Sequence, residues 1–131
     1  MPVPPDAPIA TRRDKIRLDE KFASFSEHWS PKIVAAVNDH EVRLVKFQGA
    51  LDWHDHEFSD ELFVVVKGTM VVHFRGDAVV VSEGEMILIP RQTEHRPYAE
   101  KEVWVALFER AGTANRPCAG GKRVAAKAEW I

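Results

Sequence analysis

The 131-residue chain predicts an all-β protein, a sandwich or barrel in one domain. Three observations carry this. Between Gly49 and Phe108, short β-branched and apolar runs are divided by glycine-containing turns, with no intervening helical period. Several runs are apolar on both faces, Phe63 and Val65 alternating with Leu62, Val64 and Val66, so one face fills an interior while the other needs cover. The length suits one continuous core without a second module.

Taken in order, residues 1–13 are Pro-rich and without periodicity, and are expected to form a disordered or surface-draped tail. Phe22 and Phe25, between Asp14 and Trp29, are spaced for one helical face, but an extended arm is favoured there. After the break at Ser30-Pro31, Lys32 to Val37 predicts a strand, Asn38-Asp39-His40 a turn and Glu41 to Phe47 a second strand. Leu62 to Val66 is a continuous apolar run, turned by Lys67-Gly68-Thr69 into Met70 to Phe74. Arg75-Gly76-Asp77 turns again into Ala78 to Val81, and Ser82 to Glu85 turns into Met86 to Ile89, which ends at Pro90. Val103 to Phe108 is the last strand expected. The domain is thus placed at residues 14–110, with a Gly- and Ala-rich C-terminal tail over 111–131.

Composition narrows the function. With 45% hydrophobic and 29% charged residues the chain is of the ordinary globular class, and its formal net charge is −2. Arg12-Arg13 and Lys122-Arg123 are too short to make a phosphate-binding surface, so no nucleic-acid partner is expected. No apolar run approaches the ~20 residues of a membrane span, and the N-terminus lacks the pattern of a secretory signal. Cys118, the only cysteine, excludes an internal disulfide and fits a reducing cytoplasm. A soluble cytoplasmic protein is therefore expected.

The residues that carry chemistry are His54, His56, Glu61 and His95. Side chains two apart on a strand share a face, so His54 and His56 can present two imidazoles to one ion. Glu61 has the opposite parity and reaches that face only if Glu57 to Asp60 inserts a turn or bulge. His95 must come from a strand or loop lying beside them. His28, His40 and His73 have no such spacing, and structural or solvated roles are expected for them.

The spacing H-x-H-x4-E-x6-G followed by G-x5-P-x4-H, carried by His54, His56, Glu61, Gly68, Gly84, Pro90 and His95, resembles the two motifs of the cupin superfamily over residues 42–109. Where that family usually has glycine two residues after the proline and asparagine four after the histidine, this chain has Gln92 and Ala99. The resemblance, closest to small single-domain, mannose-6-phosphate isomerase-like cupins, implies a jelly-roll double-stranded β-helix. It also implies one divalent transition ion held by His54, His56, Glu61 and His95 at the open end of the barrel.

Three imidazoles and a carboxylate neutralise one of the ion's two charges and leave it Lewis acidic, with open positions for a small-molecule ligand. Zn, Fe, Mn, Ni and Cu all suit this donor set. Two function classes follow: a metal-dependent enzyme, isomerase-like or dioxygenase-like, acting on a small oxygen-rich molecule, or a non-catalytic ligand- or metal-binding module. A sugar phosphate would need basic residues such as Arg96, Arg91 or Lys46, and a dioxygenase an aromatic pocket drawn from Phe47, Trp53, Tyr98, Trp104 and Phe108. Arg96 and Tyr98, following His95, are candidate substrate contacts, and no catalytic base is assigned. A homodimer is expected to cover the second apolar strand face.

Overall fold

The computed structural model describes residues 13–118 and 128–131. The expected N-terminal tail, apart from Arg13, and residues 119–127 of the C-terminal tail lie outside the described residues.

Among the described residues, ten strands follow one short helix. They are β1 (Lys32–Val37), β2 (His40–Ala50), β3 (His54–Asp55), β4 (Glu61–Lys67), β5 (Thr69–Phe74), β6 (Asp77–Ser82), β7 (Met86–Ile89), β8 (His95–Arg110), β9 (Arg116–Pro117) and β10 (Glu129–Trp130). Each predicted strand is present. Strands β2 and β8 exceed their predicted lengths, because polar ends that conceal strand character in sequence pair with each other, from His40 opposite Arg110 to Ala50 opposite Tyr98.

Strand β8 is the spine of the barrel. Its first half pairs with β5 (Phe74 opposite His95, Val71 opposite Tyr98), and its second half with β4 (Glu61 opposite Glu109, Lys67 opposite Trp104), while β2 runs along its other edge. One long strand therefore joins β4–β7 and β5–β6 into a closed interior. The turn at Gly68 needs glycine twice over: its φ is +93°, and a Cβ there would meet the Glu102 carbonyl oxygen at 3.2 Å.

Alternation along the strands sorts the side chains. Val45, Phe47, Phe63, Val65, Met70, Val72, Val103 and Val105 fill the interior. The opposite face of β2, β4 and β8 is covered from the N-terminal side. Residues Leu18–Ala23 form a helix, α1, where an extended arm was expected. One helical turn seats Phe22, fully buried, on Leu44 and in a stack with Trp104 (ring centroids 5.0 Å apart), contacts that hold a helix too short to persist alone. Lys46 belongs to this outer layer: its ammonium donates to the Phe25 carbonyl at 2.7 Å and lies over the Phe25 and Trp104 rings. Further along, the cover ends. Leu62 pairs with Leu88 and Val64 with Met86, and Leu88 and Met86 remain 58% and 62% exposed. Among the described residues no helix is long and apolar enough to cross a membrane.

Candidate metal centre

The first two histidines sit where the chain is forced inward. Strand β3 contributes only His54 and Asp55, and His54 pairs directly with His95 at the start of β8. This pairing brings the second segment to the first. His56 follows β3 on the shared face, and Glu61 opens β4, so the intervening residues Glu57–Asp60 form a loop that resets the parity between strands, not a bulge within one. His54, His56, Glu61 and His95 are all nearly fully buried.

Each imidazole is oriented by a main-chain carbonyl. His54 Nδ1 lies 2.9 Å from the Asp52 oxygen, His56 Nδ1 3.2 Å from the Ala114 oxygen and His95 Nδ1 2.8 Å from the Thr93 oxygen. A carbonyl only accepts, so each Nδ1 carries the proton and donates, and the Nε2 atoms are turned to the centre. Outer partners of this kind orient metal ligands. They are carbonyls here, and the side chains of Glu57, Asp60, Gln92 and Glu94 that flank the histidines in sequence do not supply them.

Ligand atoms of His54, His56 and His95 all lie within 4.8 Å of one another. His95 Nε2 is buried without a hydrogen-bond partner, a costly condition for a polar atom and one that an ion would relieve. Glu61 Oε1 stands 3.1 Å from His56 Nε2 and 3.4 Å from His95 Nε2. The group is compatible with a metal ion, and its nitrogen and carboxylate donors suit several first-row ions equally.

A residue that the sequence reading did not single out completes the site. Glu109, 3% exposed, joins His56 and Glu61 in a second group of convergent ligand atoms. It continues the inward series Val103, Val105, Leu107 by one more step of two, a signal available in sequence had the strand been carried past Phe108. Behind it Arg43 donates to Glu109 at 3.0 Å and to Glu41 at 2.7 Å.

The electrostatics divide the roles. Burial, with help from the charge of His95, lowers His54 to about 4, so it is neutral and ready to ligate. Burial acts against the charged form of His56 too, but its contact with Glu61 outweighs this and raises it. Glu61 is likewise opposed by burial, yet its hydrogen bond with His56 and its close contact with His95 hold it well below the usual carboxylate range. Burial and the neighbouring Glu61 charge push Glu109 up to about 10, so that in this pair Glu61 is the anion and Glu109 the neutral acid.

The centre opens on a cavity of about 600 Å³ reached by His54, Glu61, Glu109, Arg43 and a mostly apolar wall. Arg96 and Tyr98, expected as substrate contacts, do not line it. They alternate with the buried His95, Pro97 and Ala99, so Pro97 faces the cavity while Arg96 and Tyr98 stand on the outer face beside His73. Arg91 is engaged by Asp60 at the surface, and Trp104 and Phe108 lie outside the barrel interior; of the aromatic candidates Phe47 lines the cavity. The C-terminal segment closes one side. Ala114 holds His56, Arg116 pairs with Asp55 at 2.6 and 2.8 Å, and Cys118 N–H donates to the Trp53 carbonyl at 3.1 Å.

Comparison with known proteins agrees with this architecture. The Cupin_2 cupin-domain profile matches residues 40–108. A crystal structure of a cupin-2 domain containing protein from Shewanella frigidimarina is 39% identical, superposes with a TM-score of 0.72 and covers 72% of this chain and 93% of its own. A Neisseria meningitidis protein is 33% identical at a TM-score of 0.70, covering 75% and 100% respectively. The uncharacterized protein YdbB of Bacillus subtilis is 42% identical over 80 residues, 60% of this chain, and the chain spans 65% of that relative's length. The fold alone is shared with a hydroquinone 1,2-dioxygenase (17% identity, TM-score 0.60) and a putative sugar phosphate isomerase from Acidithiobacillus ferrooxidans (11%, 0.55).

Proposed function

Because the chain belongs to the cupin-domain family, we propose that it is a metal-dependent enzyme converting a small oxygen-rich molecule inside the barrel, with His54, His56, His95 and Glu61 as the metal ligands. The observation that supports this most is the convergence of three carbonyl-oriented imidazoles and a buried carboxylate, of which His54 and Glu61 line a cavity large enough for a small organic molecule. A bound divalent ion would supply Lewis acidity or, if redox active, electron transfer.

The protein's own groups do the rest. His54 is neutral through burial, and His56 and His95 are aimed by Ala114 and Thr93. Glu61 supplies the negative charge, and Glu109, pushed towards its neutral form by burial and by the neighbouring Glu61, stands in the cavity wall with Arg43 donating to it. The apolar wall excludes water from a bound ligand, which strengthens each of these polar contacts.

Metal analysis of the purified protein, followed by substrate screening under air and under argon, tests the proposal. One transition ion per chain with turnover supports it, and oxygen dependence separates the dioxygenase-like from the isomerase-like form. A metal-loaded protein that binds ligands without turnover across sugar phosphates, diketones and phenols, with Fe, Mn, Ni and Zn each tried, establishes the binding-module reading in its place.

A further inference from the structure

We propose that the cavity takes an uncharged or singly charged aromatic molecule that presents an oxygen donor to the centre, a ligand of the phenol class, and not a sugar phosphate. This rests on the metal-centre reading above and adds the substrate class to it.

The wall is aromatic where the ligand body would lie. Trp29 stacks on Phe47 with ring centroids 4.3 Å apart and planes 18° from parallel, and both line the cavity together with Phe63 and Trp130. Phe63 also stands edge-on to His95 at 6.5 Å, so the aromatic surface continues to the ligand set. Trp29 has a φ of +58°, a left-handed backbone conformation unusual for so bulky a side chain. Its N–H donates to the Lys46 carbonyl at 2.9 Å, which fixes it there at the edge of the barrel. Flat rings in offset contact with such a wall gain more than their buried area alone provides.

Charge excludes the polar alternative. A phosphate in a buried site needs cationic partners that are free to pair with it. Arg43 is the one lysine or arginine that lines the cavity among the described residues, and it is already shared between Glu41 and Glu109. The other basic residues near the site in sequence point elsewhere: Lys46 into the outer aromatic layer, Arg91 to Asp60, and Arg116 to Asp55. Beyond the ion itself, a phosphate dianion entering here would meet the Glu41 and Glu61 carboxylates and, among the described residues, no unengaged cation, whereas a single phenolic oxygen asks only for the ion.

The test is titration of para-nitrophenol into the Zn-loaded protein, Zn being without redox chemistry, read by the nitrophenolate absorbance and tryptophan quenching, with metal content measured on the same samples. Saturable binding is expected, and a large excess of glucose phosphate should not displace it. Trp29→Ala should weaken binding about tenfold, the scale of one lost aromatic contact, and Trp29→Phe, which keeps a ring, should retain most of it if the alanine variant fails to fold. Displacement by glucose phosphate at comparable concentration, or binding that Trp29→Ala leaves unchanged, overturns the substrate class while leaving the metal centre intact. Trp29-dependent phenol binding by a protein that takes up no metal overturns the metal-centre reading and leaves the cavity's preference standing.

Discussion

His54, His56 and His95 each commit one ring nitrogen to a main-chain carbonyl, so the site's geometry is set by the backbone and its affinity by protonation. Replacing His56 with alanine should lower metal content several-fold in a protein that keeps its far-ultraviolet circular dichroism; unchanged stoichiometry removes His56 from the ligand set. The pH dependence follows in sign. His56 is raised by Glu61, so its Nε2 proton must be displaced by an ion, and affinity should fall by up to about tenfold per pH unit below its titration point. Calorimetric titration that gives the same affinity at mildly acidic and mildly alkaline pH contradicts this. In the metal-free protein the two histidines act oppositely. The His54 contribution to stability is present above 6.5 and lost as pH falls towards about 4, while that of His56 is present below 6.5 and lost as pH rises through its raised value. Arg43 and Glu109 are separable by the same logic. Arg43→Ala strands Glu41 and should cost about 3 kcal/mol in urea denaturation, whereas Glu109→Gln replaces a neutral acid with a neutral amide and should stay within about 1 kcal/mol. An equal loss from both would show that Glu109 is charged. At this scale the convergence of His54, His56 and His95, with Glu61 beside them, was legible, because imidazoles and carboxylates at fixed spacing have few other reasons to recur. Arg43 and Glu109 were not, since a charged residue at a strand end reads as solvated until its partner across the barrel is known.

Among the turns and strands, the loop between Pro90 and His95 is the informative departure. Gln92 adopts a φ of +62°, the conformation for which the cupin pattern usually supplies glycine, and its N–H donates to the His56 carbonyl at 2.7 Å. That bond ties the second segment to the first and compensates a backbone cost of about 1 kcal/mol in a non-glycine residue. Gln92→Gly keeps the bond, which is made by the main chain, and removes the strain. A gain of about 0.5–1 kcal/mol in thermal or urea unfolding is expected, and a loss would mean that the side chain, not the backbone, holds the loop. Gly68→Ala should do the reverse, because a side chain is strained at its left-handed φ and its Cβ would crowd the Glu102 carbonyl oxygen. Strand existence was legible from alternation and turns throughout. The full extents of β2 and β8 were not, because their polar ends are paired with one another, and helix α1 was missed because its stability comes from Phe22 against Trp104 on a strand distant in sequence.

At the scale of the molecule, the two-sided apolar strands that predicted an all-β core also predict how the outside is covered, and the structure answers half of that question within one chain. Phe22, Phe25 and Ile16 cap the outer faces of β2, β8 and the end of β4. The cover does not extend to the other end of β4, where Leu62 and Val64 pair with Leu88 and Met86 on β7. Phe108 continues this row across β8, in register with Leu62, so the side chains beyond the N-terminal cover form a band three strands wide, contiguous apolar surface of the sort that marks an interface. A second copy meeting the same band about a two-fold axis would bury it without any further element, since an isologous contact needs only that the patch complement itself. The expected outcome is a homodimer in light scattering, with Leu88→Glu shifting the mass towards that of a single 14.8 kDa chain while metal content is unchanged. A wild-type mass of one chain over a wide concentration range would overturn the dimer. A dimer insensitive to Leu88→Glu would move the interface to the other exposed row, around Val80 on β6.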